Sequence, residues 1–174
     1  MNPFATLGVP ERYEIDLPSR EKTHRELSRA LHPDKYAGAG ASERRDSLTK
    51  AVAVNEAFRV LRDPIARAEA LFRLRGIAVG ETVEPKPDPE FLMEMLEQRE
   101  ALQDARAEGD RAKLRALVES IERSAEAAER ALAEGFASGP TADLVKKLGE
   151  LRFFHRFLEE ASAIEDALLE ASPS

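Results

Sequence analysis

The chain contains no cysteine and no tryptophan, and only 6% of its 174 residues are aromatic. The absence of cysteine excludes disulfide bonds, thiolate metal sites and cysteine nucleophiles. The three histidines lie far apart without metal-ligand spacing, so we expect no metal and no cofactor. No segment approaches the roughly 18 apolar residues that a membrane span requires, and the N-terminus lacks the pattern of a secretory signal. We therefore expect a cytoplasmic protein that does not contact a membrane.

Positive charge is scarce in the second half of the chain. Residues 1–80 carry 14 Lys and Arg against 11 Asp and Glu, whereas residues 81–174 carry 12 against 22. Nucleic-acid binding needs a basic surface, so this balance argues against a nucleic-acid partner. Ala, Leu, Glu and Arg dominate a composition with 43% hydrophobic and 34% charged residues. Such a composition predicts an all-α protein.

Glycine and proline divide the chain into two helical units. Residues 76–89 hold two Gly and three Pro, which favours a linker between a unit at 1–76 and a unit at 88–172, with the linker itself at 77–87. In the first unit we expect a turn at Pro3 to Leu7, a helix from about Asp16 to His32, one from Ser42, and one from Asp63-Pro64 to about Gly76. In the second we expect three long helices, starting at Asp88-Pro89, Asp110 and Thr141, in an antiparallel bundle.

The first candidate site is His32-Pro33-Asp34, with Lys35 following it. Proline lacks a backbone N–H and disfavours helix at the residue before it, so the chain must leave the helix here. The preceding helix carries a basic row at Arg20, Lys22, Arg25 and Arg29. We interpret this pattern as an exposed, stiff loop beside a basic helix, and expect it to bind a partner protein.

The same residues allow two other interpretations. His32 and Asp34 could form an acid–base pair. No nucleophile, phosphate-binding loop or metal-ligand spacing lies near them, and we expect Pro33 to hold the two side chains apart along an extended loop. The other interpretation is a turn that only ends a helix, which the neighbouring basic row disfavours. We therefore expect no enzymatic activity and no catalytic residues.

The second candidate site is a helix with two apolar faces. At about 100° per residue, Phe91, Met95, Leu102 and Ala105 form one stripe, and Leu92, Met93 and Leu96 form another on a different side, edged by Glu97, Glu100 and Asp104. On the last helix Phe153 lies roughly opposite the stripe of Leu144, Leu148, Leu151 and Leu158. A contiguous exposed apolar patch indicates an interaction site. Alternatively, Leu92 and Leu96 simply widen the buried stripe.

The chain resembles a known family along nearly its whole length. His32-Pro33-Asp34 between two helices, with Asn55-Glu56-Ala57-Phe58 on the second, resembles a J domain. More specifically, the chain is similar to the HscB family of co-chaperones in iron–sulfur cluster assembly, in its bacterial form. The residues that carry this resemblance are Phe4 to Pro10, Tyr13, His32 to Tyr36, Asn55 to Phe58, Arg67 to Leu71 and Phe91 to Glu97.

The resemblance implies an L-shaped all-α protein with a J domain at 1–76 and a client-binding helical domain at 88–172. It implies two partners, a DnaK-type chaperone similar to HscA, whose ATPase is stimulated, and an iron–sulfur scaffold similar to IscU. The chaperone-binding residues would be His32, Pro33, Asp34, Lys35, Arg25, Arg29, Lys22 and Asn55. The scaffold-binding residues would be Leu92, Met93, Leu96, Glu97, Glu100, Asp104 and Phe153. Because the chain has no cysteine, cluster ligands must lie in the client.

Two alternative functions remain open for the chain. The chain could be a J-domain protein for another client, or a helical adaptor whose His32-Pro33-Asp34 loop no longer engages an ATPase. The intact loop and basic row favour the co-chaperone functions over the adaptor. The set Leu92, Met93, Leu96 and Phe153 favours the scaffold over a generic client.

Overall fold

Helices account for all the regular structure in the described part of the chain, which confirms the all-α prediction. The computed structural model describes residues 1–36, 38, 40–80, 83, 85–139 and 142–171, and only the backbone at 17–20, 33 and 142. The chain forms two compact units, Met1–Val79 and Gly80–Ser174. This division falls within the predicted linker at 77–87, and the predicted end of the second unit at residue 172 lies outside the described residues.

The first unit is organised around one long helix. Its elements are α1 (Pro3–Thr6), α2 (Leu17–Ala30), a 3₁₀ turn (Pro33–Tyr36), α3 (Ala41–Arg62) and α4 (Pro64–Leu74). Helix α3 packs against α1, α2, the 3₁₀ turn and α4. The core of the first unit holds the fully buried side chains of Phe4, Leu61, Leu71 and Phe72. The 3₁₀ turn is therefore attached to the central helix of the unit.

A buried arginine closes the C-terminal end of α3. The Arg67 guanidinium donates a hydrogen bond to the Leu61 carbonyl oxygen at 2.7 Å and lies over the Tyr13 ring, 4.6 Å from its centroid. Carbonyls in the last turn of a helix lack intrahelical donors, so the arginine satisfies one of them. It also links α3, α4 and the segment before α2 in one place.

The second unit is a three-helix arrangement of α5 (Pro89–Glu108), α6 (Arg111–Ser138) and α7 (Ala142–Glu170). All three helices pack against one another, with the closest association between α6 and α7. Its core holds the fully buried side chains of Leu102, Leu132, Leu148 and Leu151. Gly109 ends α5 in a left-handed conformation with φ of 64°, which glycine adopts without strain.

The predicted helix starts at Asp63-Pro64, Asp88-Pro89 and Asp110 are right in position, but not all are capped as expected. Helix α3 begins at Ala41, one residue before the predicted Ser42, and the predicted start at Thr141 lies outside the described residues. Asp63 and Asp110 accept hydrogen bonds from the N–H groups of Ala66 and Lys113, at 2.7 and 2.9 Å. Asp88 precedes α5 but makes no capping hydrogen bond, and its carboxylate instead lies 3.1 Å from the Lys146 ammonium of α7. An aspartate before proline thus marks the start of a helix even where it does not cap it.

The apolar row of α3 does not all face the core. Leu48 and Val52 recur with Asn55, Phe58 and Leu61 at steps of three and four residues, but both are exposed, at 55% and 60%. The buried side of α3 instead runs through Ser47, Val54, Ala57 and Leu61. The small residues Ser47 and Ala57 allow the neighbouring helices to approach closely. Sequence periodicity alone does not show that this side of α3 is the buried one.

Close packing of α6 on α7 depends on Gly135. A Cβ at this position would clash with the buried Leu144 side chain of α7, with both of its δ-methyl carbons and with its Cγ at 3.0 Å. Alanine in a helix interior ordinarily stabilises by roughly 0.5–1 kcal/mol relative to glycine. Overpacking a core costs roughly 1–3 kcal/mol, so the clash should outweigh that gain.

We therefore expect Gly135→Ala to lower the free energy of unfolding by about 1 kcal/mol, measured by chemical denaturation. Gly38→Ala is the control, because a Cβ there meets no atom within 4 Å and its φ is not positive. That control should not destabilise the protein. A gain of stability from Gly135→Ala would contradict the close packing.

Candidate functional site

The His32-Pro33-Asp34 segment follows the end of α2 as a tight turn. Pro33–Tyr36 form one turn of 3₁₀ helix, closed by a hydrogen bond from the Lys35 N–H to the His32 carbonyl oxygen at 3.0 Å. The side chain of Pro33 lies outside the described residues. Just before the turn, the buried hydroxyl of Ser47 on α3 donates to the Leu31 carbonyl oxygen at 3.0 Å. Ser47 thus fixes the backbone where the segment leaves α2.

His32 and Asp34 lie next to each other, which corrects the expectation of an extended loop that separates them. The tight turn brings His32 Nδ1 to 3.4 Å from Asp34 Oδ2, and the Asp34 N–H donates to the same nitrogen at 3.3 Å. Nδ1 accepts that N–H only when unprotonated and pairs with the carboxylate only when protonated. The two side chains are 59% and 92% exposed, so both are accessible to a partner.

The basic row lies on the exposed side of α2. Lys22, Arg25 and Arg29 are all exposed, and their spacing of three and four residues places them on one helix face. Lys35 is exposed on the 3₁₀ turn itself. These four cationic side chains belong to the helix and turn that carry His32 and Asp34, and the side chain of Arg20 lies outside the described residues.

Asn55 is placed differently from the other predicted chaperone-binding residues. Its side-chain oxygen lies 2.8 Å from His24 Nε2, and the His24 ring stacks on Phe58 with centroids 4.2 Å apart. These contacts join α2 to α3 and hold the basic helix in register. His24 and Ser47 are the site residues that the sequence analysis missed, since a lone histidine and a lone serine carry no pattern.

Glu56, next to Asn55, forms a local ion pair with Arg59. Arg59 Nε and Nη2 donate to the two carboxylate oxygens at 3.0 and 2.7 Å. These hydrogen bonds lower the pKa of the Glu56 carboxyl and raise the pKa of Arg59. The pair is exposed, so it organises one turn of α3 and adds little to the fold.

Helix α5 has one buried and one exposed apolar face. Met95, Leu102 and Ala105 are buried, as the predicted core stripe requires, whereas Phe91, the fourth residue of that stripe, is half-buried. Leu92, Met93 and Leu96 are 42%, 65% and 59% exposed. The structure therefore contradicts the alternative in which Leu92 and Leu96 widen the buried stripe.

The exposed leucines form a groove with α7, which we call the apolar groove. It has a volume of about 300 Å³ and is lined by Leu92, Met95, Leu96, Arg99, Phe153, Arg156, Phe157 and Glu160. Phe153 is half-buried, and its ring meets the Phe91 ring edge-on with the two ring centroids 5.6 Å apart. The Arg156 guanidinium lies 4.9 Å from the centroid of the Phe153 ring. Leu92, Leu96 and Phe153 are thus brought together, and Met93 is exposed but does not line this groove.

Two of the three predicted acidic residues line a second, shallower groove, which we call the acidic groove. It has a volume of about 520 Å³ and is lined by Arg99, Glu100, Gln103, Asp104 and Glu160. The Asp104 carboxylate is 4.0 Å from the Lys113 ammonium, which also lies 3.5 Å from Glu108. Glu97 is exposed but lines neither groove.

Comparison with known proteins identifies the family. Residues 87–162 match the model of the HSCB C-terminal oligomerisation domain. The co-chaperone protein HscB homolog of Shewanella oneidensis is 34% identical over 98% of this chain and 100% of its own length. The homolog of Bordetella avium is 36% identical over 93% of this chain and 96% of its own.

The chain belongs to the HscB family of co-chaperones. Chaperone HscB from Vibrio cholerae has the same fold, with a TM-score of 0.86 at 30% identity over 97% of this chain and 99% of its own. Human co-chaperone protein HscB, at 21% identity, shares the fold with a TM-score of 0.86 over 95% of this chain and 82% of its own. The predicted family is therefore confirmed.

Among the described residues, no cluster of three or more His, Asp or Glu side chains is arranged to hold a metal ion. Within the same residues, no helix is long and apolar enough to cross a membrane.

The two faces of α5 should respond differently to truncation. Leu96→Ala removes an exposed side chain and should lower the free energy of unfolding by less than about 1 kcal/mol. Leu102→Ala, six residues further along the same helix, empties a fully buried position and should cost roughly 2–5 kcal/mol. Chemical denaturation of both variants measures the difference. Equal large losses would show that Leu96 belongs to the core.

Proposed function

We propose that this HscB-family co-chaperone of iron–sulfur cluster assembly stimulates the ATPase of an HscA-like DnaK-type chaperone and delivers an IscU-like scaffold protein to it. The observation that carries the proposal is the separation of two exposed surfaces. One is the His32-Pro33-Asp34 turn beside a basic helix, in the first unit. The other is the apolar groove beside the acidic groove, in the second unit. The chain itself catalyses no reaction, and the cytoplasm is its proposed location.

The chaperone would be engaged through the first surface. The exposed His32 ring and Asp34 carboxylate are held in a tight turn, so little conformational freedom is lost when a partner binds them. Lys22, Arg25, Arg29 and Lys35 present positive charge to an acidic partner surface. Such charges steer encounter and raise the association rate, and salt weakens this effect. Asn55 would act through its contact with His24, which joins α2 to α3.

The scaffold would be bound through the second surface. Leu92, Leu96 and Phe153 supply the apolar anchor, and Met93 extends it outside the groove. The buried centre of a protein interface is more apolar than its rim, and interfaces are enriched in aromatic residues and Met. Glu100 and Asp104 lie in the adjoining groove and Glu97 is exposed on the same helix, so together they would orient a client segment that is apolar at one end and basic at the other.

His32→Gln tests the first surface. Because His32 is exposed, the variant should keep its helical circular dichroism and its melting temperature. The rate of ATP hydrolysis by the chaperone should stay at its basal value when this variant is added. His155→Gln, the same replacement in the second unit, is the control and should stimulate normally. Full stimulation by His32→Gln would refute the proposed role of the turn.

A further inference from the structure

One ion pair stands between the two grooves of the second unit. Arg99 on α5 and Glu160 on α7 line both the apolar groove and the acidic groove. Arg99 Nη2 donates to Glu160 Oε2 at 3.0 Å, and Gln103 Nε2 donates to Oε1 of the same carboxylate at 2.9 Å. Glu160 on α7 therefore accepts hydrogen bonds from two side chains of α5. Arg99 and Glu160 form the wall that the two grooves share, whereas Gln103 lines only the acidic groove.

Arg99 is the one cation that lines the acidic groove, within the described part of the chain. Glu100 follows Arg99 directly on α5, and Gln103 and Asp104 come four and five residues after it. Unpaired, Arg99 would oppose the negative potential of the two carboxylates. Its pairing with Glu160 cancels that charge locally. Lys113 lies further toward the C-terminal end of α5, where it contacts Asp104 and Glu108.

We propose that the Arg99–Glu160 ion pair sets the charge of the acidic groove and thereby the preference of the site for a basic client segment. This inference rests on the proposed function, because it assumes that the scaffold docks on this face of α5 and α7. Glu160 is then a specificity-determining residue that acts by neutralising Arg99. Arg99 is a counter-charge whose removal makes the groove more acidic.

A purely mechanical role for the pair predicts a different behaviour. If Arg99 and Glu160 served only to hold α5 against α7, removal of either partner would loosen the groove and weaken binding. Gln103 also donates to Glu160, so one link between the helices persists when Arg99 is replaced. The Arg99 side chain is 65% exposed, and exposed ion pairs contribute little to stability. Electrostatic and mechanical roles can therefore be separated by the sign of the two single substitutions.

The experiment measures the association rate and the affinity of the full-length protein for the purified scaffold at low salt, for Glu160→Gln, Arg99→Gln and the double variant. We expect Glu160→Gln to slow association by about two- to fourfold, and Arg99→Gln to accelerate it by a similar factor. The double variant should return close to the unsubstituted rate. All three differences should shrink when salt is raised to about 0.5 M, because screening shortens the range of the charges.

Slower association for both single variants, or no change in either, would overturn the inference. Leu96→Ala, measured in the same series, keeps the proposed function separate, because it should weaken scaffold binding whatever the role of the ion pair. Unchanged binding by Leu96→Ala, or no binding by the unsubstituted protein, would overturn the proposed function and the inference together. Opposite signs for Glu160→Gln and Arg99→Gln, with weakened binding by Leu96→Ala, would support both.

Discussion

A helix in a three-helix unit can bury only one of two apolar faces, and α5 has two. Met95, Leu102 and Ala105 pack against α6 and α7, so the same helix must expose Leu92, Met93 and Leu96. Phe153 of α7 lies beside the exposed face and turns a row of side chains into a groove. Exposed contiguous apolar surface is costly in water unless something covers it, and this cost is the physical basis of the proposed client site.

The first unit meets a similar constraint at the end of α2. Proline at position 33 removes a backbone donor, and the chain responds with a 3₁₀ turn instead of an extended loop. The turn exposes His32 and Asp34 together, while Ser47 holds the Leu31 carbonyl and the His24–Asn55 contact joins α2 to α3. Local stiffness and attachment to α3 together keep the proposed chaperone-binding groups in one arrangement.

The helix boundaries could be predicted from the sequence because their signals are local. Asp63-Pro64, Asp110 and Gly109 act through the backbone of their own turn, and the structure places helix ends at each of them. The same local signals do not show which side of a helix is buried. Leu48 and Val52 have core-like spacing on α3 but are exposed, because the small residues Ser47 and Ala57 are the ones that face the neighbouring helices.

Contacts between residues far apart in the sequence could not be predicted from the sequence, for a different reason. Asp88 pairs with Lys146, and Arg99 pairs with Glu160, at separations of about sixty residues. No periodicity within one helix specifies which side chain of another helix it meets. The apolar residues of the candidate client site could be named from α5 alone, but the wall between the two grooves emerges only from the packing of α5 on α7.

We propose separable roles for the two surfaces, the first in stimulating the chaperone and the second in carrying the client. Single-turnover ATP hydrolysis by the cognate chaperone, with and without the scaffold, tests this separation most directly. The comparison is between the unsubstituted protein and a variant with Leu92, Met93 and Phe153 all replaced by Ala. We predict that the variant stimulates hydrolysis normally without scaffold, but loses the further increase that scaffold brings. Loss of stimulation without scaffold, or an undiminished scaffold effect, would contradict the account.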